Sequence, residues 1–206
     1  MKLYHYWRSS SSWRVRWALE LKGISAEMIH VGLLDGSSEK PEHLERNPLG
    51  QVPVLEVDGR YLIESLPIIE WLDENHPRPM LISGDSFQKQ RVRALCEIIN
   101  ANTQPFQNPT VVEMVSKDEK AKKDWTQYYI RRGLHAYDEM IKPFSAEFSV
   151  GSELSAADLF LIPQCYAALR FGIDLKDEFS VINRIYERCR ALDSCKAAEP
   201  ERYEPK

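Results

Sequence analysis

Along residues 1–80 the hydrophobic pattern switches between a two-residue and a helical period. Lys2-Leu3-Tyr4-His5-Tyr6 alternates and carries two aromatics, which predicts a strand. After a run of serines, Trp13 to Lys22 places Val15, Ala18 and Leu19 on one helical face, and Gly23 supplies the stop. Glu27 to Val31 is a second, shorter strand. Pro41 to Arg46 fits either a short helix or an irregular loop. Val54 to Val57 and Arg60 to Ile63 flank Asp58-Gly59, a pair that tolerates the positive φ of a tight hairpin turn. Ser65 then caps a helix running to about Asn75, with Pro67 in its first turn, where a missing N–H is harmless. The predicted order is β-α-β-α-β-β-α. Strands joined by helical crossovers are expected to run parallel, and the closing hairpin adds an antiparallel edge.

His76-Pro77-Arg78-Pro79 stops that helix, and Met80 to Asp85 reads as a linker. Beyond it no segment carries a convincing strand pattern. Phe87 to Ala101, Glu119 to Ile141, Ala156 to Arg170 and Ser180 to Ala191 all show helical periodicity. Ser155-Ala156-Ala157-Asp158 is a capping signal ahead of the apolar run Leu159-Phe160-Leu161-Ile162. The expected organisation is an α/β domain over 1–80 followed by an all-α domain over 86–206.

Composition narrows the function classes. The 206 residues are 43% hydrophobic and 28% charged, a balance that argues against wholesale disorder. Lysine plus arginine number 27 against 31 acidic residues, for a net charge of -4. Such a chain lacks the basic face that nucleic-acid binding requires. No apolar run approaches the roughly 20 residues that span a bilayer, and Met1 to Ser10 lacks the apolar centre of a signal peptide. A cytoplasmic protein is the expectation. Cys96, Cys165, Cys189 and Cys195 form no C-x-x-C pair, and the five histidines are scattered, so no metal site is expected. Nucleophile-elbow, P-loop and dinucleotide-binding glycine motifs are absent.

Three places in the first domain could carry chemistry. Arg8-Ser9-Ser10-Ser11-Ser12-Trp13-Arg14 joins the first strand to the first helix, where hydroxyls and free N–H groups favour an anion such as a thiolate. A helix cap with loop serines accounts for the same residues. Gly50-Gln51-Val52-Pro53 leads into a strand; a cis bond there would leave the Val52 N–H and C=O free for a peptide-like ligand, and an ordinary strand-entry proline is the alternative. Glu64-Ser65 opens the third helix, where exposed N–H groups could hold a carboxylate or simply be capped.

Taken together, this order and spacing resemble a cytosolic glutathione transferase: a thioredoxin-like N-terminal domain with a helical C-terminal domain. The run Ser9-Ser10-Ser11-Ser12-Trp13-Arg14-Val15-Arg16 is similar to the zeta-class signature, and that class includes maleylacetoacetate isomerase. Asn47-Pro48-Leu49-Gly50-Gln51-Val52-Pro53 resembles the family's loop before its cis-proline. Gln104-Pro105-Phe106-Gln107-Asn108 resembles a zeta motif on the first C-terminal helix, and Arg170-Phe171 the class's substrate-side arginine.

The resemblance implies glutathione as cofactor and a homodimer. Ser9 would hydrogen-bond the glutathione sulfur, with Ser10, Ser11 and Ser12 lining the same helix end and Trp13 and Arg14 of the same motif also counted as glutathione-binding. Val52 would pair with the cysteinyl backbone. Glu64 and Ser65 would hold the γ-glutamyl end. Gln104 and Asn108 would reach the site from the helical domain. Arg170, or Arg8, would face a substrate carboxylate. Ser9, Ser10 and Ser11 are the expected catalytic set, with Tyr6 as a rival thiol activator or a core side chain. Ser11 stands where the class usually has cysteine, and Glu64 where it often has glutamine. The implied activity is glutathione-dependent cis–trans isomerisation of maleylacetoacetate-like substrates. General conjugation, α-haloacid dehalogenation and non-catalytic ligand carriage are the alternatives.

Overall fold

The computed structural model describes residues 1–205. β1 (Lys2–His5) leads into α1 (Ser10–Lys22), β2 (Glu27–His30), α2 (Pro41–Leu44), β3 (Val54–Val57), β4 (Arg60–Ile63) and α3 (Ser65–Asn75). The hairpin turns where its sequence predicts. Asp58 and Gly59 both lie at positive φ, 49° and 75°, as a two-residue turn demands.

The sheet order is β2-β1-β3-β4. β1 and β2 are parallel, as the intervening helix predicts. β3 is antiparallel to β1, which corrects the expectation of a second parallel crossover. A parallel pairing needs a crossover that carries the chain to the opposite end of the sheet. Here the connection, with its single short turn of helix α2, leaves β2 and re-enters at the same end.

Strand alternation sends Tyr4 and Val54 to one sheet face, where they cluster with Val31 and Val52; Tyr6, Ile29 and Ile63 pack against them. Leu3, one residue out of phase with Tyr4, is fully buried, as are Val15, Ile68, Ile69 and Leu72 of α1 and α3, which pack on each other. Lys22, at the end of α1, donates at 2.7 Å to Asp73 Oδ1 and to the His76 and Pro79 carbonyls. Its ammonium is thus saturated and fixes the chain leaving α3.

The chain divides into two units: Met1–Leu81 together with the residues from Leu192 onward, and Ile82–Ala191. Contacts therefore group the residues from Leu192 onward with the first unit, where the sequence pattern puts 86–206 in one helical domain. The cause is α1. Every residue from Ser12 to Leu19 is buried, not the single face its apolar positions predict. A helix buried all round needs a second cover, and the C-terminal segment provides it. α10 (Asp193–Ala198) packs along α1, with Trp17 Nε1 donating to Ser194 Oγ at 3.1 Å and Arg16 Nε to the Ala198 carbonyl at 3.1 Å.

His5 sits in this cluster, with its Nδ1 3.3 Å from Arg16 and edge-on rings at His30 and Tyr203. Burial, then the charges of Arg16 and His30, push its pKa down to about 3. The unfolded histidine binds a proton near pH 6.5 and the folded one does not, so stability falls as pH drops from about 6.5 toward 3. A loss of about 2 kcal/mol between pH 7 and pH 5 is expected from His5. Urea melts at the two pH values measure it. The same loss in His5→Gln would assign it elsewhere.

In the second unit, α4 (Ser86–Asn100), α5 (Pro109–Val115), α6 (Glu119–Ile141), α7 (Ala156–Arg170), α8 (Leu175–Glu178) and α9 (Ser180–Arg190) form a helical bundle. The sequence pattern misses α5, α8 and α10, which are too short to show helical periodicity. Gly133 on α6 lets Thr103 approach so closely that a Cβ would stand 1.9 Å from Thr103 Oγ1. The predicted cap at Ser155–Asp158 is present: Asp158 Oδ2 accepts the Ser155 N–H at 2.9 Å.

Candidate active site

Strand register gathers the three candidate segments of the first unit. Tyr4 is opposite Val54, and Val54 is opposite Ile63. The residues after β1, before β3 and after β4 therefore lie at one end of the sheet. These are the serine loop, Val52-Pro53 and Glu64-Ser65.

Ser9 is the N-cap of α1. Its Oγ accepts the Ser12 N–H at 3.2 Å, and its own hydroxyl proton stays available to an acceptor. Ser10 and Ser11 occupy the first two helical positions, half-buried, with N–H groups that no turn of helix precedes. Ser12 is fully buried and its Oγ accepts the Tyr6 N–H at 3.4 Å, so its side chain shapes the loop from inside. Arg8 is half-buried and its guanidinium lies 5.3 Å from the Trp7 ring centroid. Tyr6 packs on the sheet cluster, which agrees with its reading as a core side chain.

The Val52–Pro53 bond is cis. Val52 itself is buried, and among the described residues its backbone N–H and C=O make no hydrogen bond. The turn before it is held by buried groups: Asn47 Nδ2 donates to the Gln51 carbonyl at 3.0 Å, and His43 Nε2 meets the same oxygen at 3.0 Å.

At α3 the expected cap moves by one residue. Glu64 is the N-cap, and its exposed side chain makes no capping bond. Its φ of 67° and ψ of 121° are uncommon for a residue with a Cβ, a conformation costing about 1–3 kcal/mol. Ser65 is the first helical residue and is buried; its Oγ accepts from Arg14 Nη1 at 3.1 Å. Arg14 and Trp13 are buried, at 0% and 1% exposure. Their side chains are buried inside the unit, where the resemblance has them contact glutathione, and Arg14 ties the start of α3 to α1. A positive φ at glutamate and a buried arginine inside a serine motif leave no local signal that sequence reasoning could use.

Gln104, Asn108 and Arg170 belong to the second unit. Gln104 and Asn108 are half-buried and joined, Nε2 to Oδ1, at 2.8 Å. They lie on a 3-10 turn, Gln104–Gln107, and the residue after it, which corrects their placement on the first C-terminal helix. Trp125 Nε1 donates to the Phe106 carbonyl at 3.0 Å, and Phe106 stacks on Tyr129 at 4.1 Å. Gln107 and Gln164 exchange amide bonds at 3.0 and 3.2 Å. Arg170 is the exposed last residue of α7.

All four cysteines are buried, and burial pushes the Cys165 thiol well up, away from thiolate chemistry. Among the described residues no cluster of three or more histidine, cysteine or acidic side chains is suited to a metal ion. No helix among them is long and apolar enough to cross a membrane.

Residues 3–80 match the N-terminal domain family of glutathione S-transferases. Maleylacetoacetate isomerase of Rhizobium meliloti is 40% identical over 208 residues, covering 98% of this chain and 97% of its own. A holo maleylpyruvate isomerase, a bacterial zeta-class transferase, superposes with a TM-score of 0.94 at 36% identity, covering 100% of this chain and 99% of its own. The chain belongs to the zeta class of glutathione S-transferases. Maleylacetoacetate isomerase from Anaeromyxobacter dehalogenans, solved with dicarboxyethyl glutathione and citrate in its active site, is 43% identical with a TM-score of 0.88, covering 100% of this chain and 96% of its own. These relatives are enzymes, and the thioredoxin-like sheet with a helical second unit is the architecture they share with this transferase.

Proposed function

We propose that this transferase catalyses glutathione-dependent cis–trans isomerisation of an unsaturated dicarboxylate of the maleylacetoacetate or maleylpyruvate type. The observation that carries the reading is the meeting of three donor sets at one sheet end. A helix N-terminus with a hydroxyl N-cap suits a thiolate. An unpaired backbone N–H and C=O at Val52 suit the central peptide of a tripeptide. The start of α3, with exposed Glu64 beside it, suits a carboxylate and an ammonium together. Glutathione carries those groups in that order. The dicarboxylate-bearing ligand held by a relative 43% identical supports an acidic substrate.

When bound, glutathione would supply a sulfur that adds reversibly to the activated double bond, leaving a single bond free to rotate until the sulfur departs. The chain supplies the rest. Ser9 Oγ donates to the sulfur and favours its anion, each unit of thiol pKa depression being worth about 1.36 kcal/mol. The Ser10 and Ser11 N–H groups and hydroxyls offset negative charge developing on the substrate. Arg170, with Arg8 as the second candidate, takes the substrate carboxylate, and Gln104 and Asn108 are candidates for further polar contacts to the ligand. We read the working form as a homodimer.

Ser11 in place of the usual cysteine keeps a donor and removes a thiol, and it favours general conjugation of electrophiles as the second reading. Isomerisation of maleylacetone by the purified protein, with and without glutathione, tests the proposal. Rapid turnover only with glutathione is expected. Bound glutathione without turnover would overturn the isomerase reading, and Ser11→Cys would then show whether the hydroxyl is responsible.

A further inference from the structure

We propose that Arg16, held by the C-terminal segment, is a positioning residue that sets the geometry of the loop carrying Ser9. Because it acts through Ser9, its role rests on the reading of Ser9 as the partner of the glutathione sulfur. Arg16 lies about two helical turns below Ser9 on α1. Side chains on a helix tilt toward its N-terminus, so a long one reaches back to the β1–α1 loop. The Arg16 guanidinium does so. Nη1 donates to the Tyr6 carbonyl at 3.4 Å and Nη2 to the Trp7 carbonyl at 3.0 Å. The Tyr6 carbonyl is shared, since it also accepts the Ser9 N–H at 3.1 Å. One cation thus grips two consecutive peptide groups of the loop, and one of these directly orients the Ser9 backbone.

The other side of the guanidinium is held by the far end of the chain. Nε donates to the Ala198 carbonyl at 3.1 Å, and the Tyr203 ring lies 4.7 Å below the guanidinium carbon. His5 Nδ1, at 3.3 Å, is an acceptor for it. Arg16 is fully buried. Burying a cation is costly, and an apolar side chain of similar volume is often the more stable choice. A planar fork that meets three carbonyls at fixed angles does something an apolar side chain cannot: it fixes φ and ψ of Tyr6, Trp7 and Arg8, and with them where Ser9 Oγ points. The 193–203 segment is then the brace of a thiol site nearly two hundred residues away in sequence.

The test uses full-length Arg16→Lys, Tyr203→Leu and Tyr203→Phe. Lysine keeps the charge and loses the fork. Leucine removes the stacked ring and phenylalanine keeps it. The readouts are kcat and KM for glutathione, the pH dependence of kcat/KM, and the far-ultraviolet thiolate absorbance of bound glutathione. Arg16→Lys is expected to lower kcat about tenfold or more and to raise the pKa of the acid limb by about half a unit to one unit. KM for glutathione should change little, because Val52 and Glu64–Ser65 are untouched. Tyr203→Leu should move the same quantities less, and Tyr203→Phe should retain wild-type values. A lower melting temperature with an unchanged kcat and pH profile would mean that Arg16 is only structural, and would overturn the proposal. If Arg16→Lys does not fold, the Tyr203 pair decides by the same readouts. Wild-type protein that binds glutathione without thiolate absorbance would overturn the Ser9 reading itself, and this role of Arg16 with it.

Discussion

Ser9→Ala is expected to lower glutathione-dependent turnover on the order of a hundredfold while costing only about 1 kcal/mol of stability. The two effects separate because Ser9 has two bonds to make. Its oxygen accepts the Ser12 N–H at 3.2 Å and caps α1; alanine loses that cap and no more. Its proton is free to be donated to a sulfur anion, and losing a donor from a forming anion costs about 2.7–4 kcal/mol of transition-state stabilisation. For a chain of this length, about 1 kcal/mol moves the thermal midpoint by about 2–4 °C. Steady-state kinetics and a thermal melt on the same preparation give both numbers. A loss of activity no larger than the loss of folded protein would remove Ser9 from its assigned role. Tyr6→Phe is the comparison, because Tyr6 packs on the sheet cluster and its ring is preserved. A fall in turnover there matching that of Ser9→Ala would move the activation to the phenol.

Asp158→Ala should be the most destabilising single change in the second unit, by about 3–5 kcal/mol. Asp158 is fully buried. Oδ1 accepts the Ser149 N–H at 2.8 Å, and Oδ2 accepts the Ser155 N–H at 2.9 Å and the Ser155 hydroxyl at 3.2 Å. Nothing replaces those acceptors in alanine, and each orphaned buried donor costs about 1–3 kcal/mol. Burial raises the Asp158 carboxyl above its ordinary value even though these bonds pull the other way. Tyr137 is pushed up by its own burial and then by the charge of Asp158, so the two groups belong to one buried polar network: the phenol donates to the Ala157 carbonyl at 3.0 Å and meets Ser149 Oγ at 2.9 Å. Chemical denaturation measures the loss. Asp158→Asn keeps one acceptor and should lose about half as much. A change below about 1 kcal/mol in the alanine variant would mean that water replaces the carboxylate, contrary to its full burial.

Much of this was legible because it is local. Asp58-Gly59 flanked by apolar runs defined the hairpin, since few residue pairs adopt positive φ twice in succession. Helix periods and stops located α6 and α7 to the residue and α3 to within one, and Ser155–Asp158 announced its own cap. The serine run before Trp13 marked a helix start, and the chain order placed the candidate segments at strand ends. Those features depend on neighbours within a few residues, where propensity and pattern act.

What the tertiary structure decided is long-range. The antiparallel entry of β3 depends on where the chain meets the sheet again, not on any residue in β3. Glu64 is held at positive φ by its position between β4 and α3, against its own preference. Trp17 and Arg16 are not among the residues that the helical period puts on the apolar face, and they are buried where α10 and Tyr203 return to cover them. The sequence alone determined the strands, the longer helices, the family motif and the candidate serines. Packing between distant segments decided which of those side chains are buried and which stay accessible, because burial is a property of the assembled surfaces and no local window of the chain contains them.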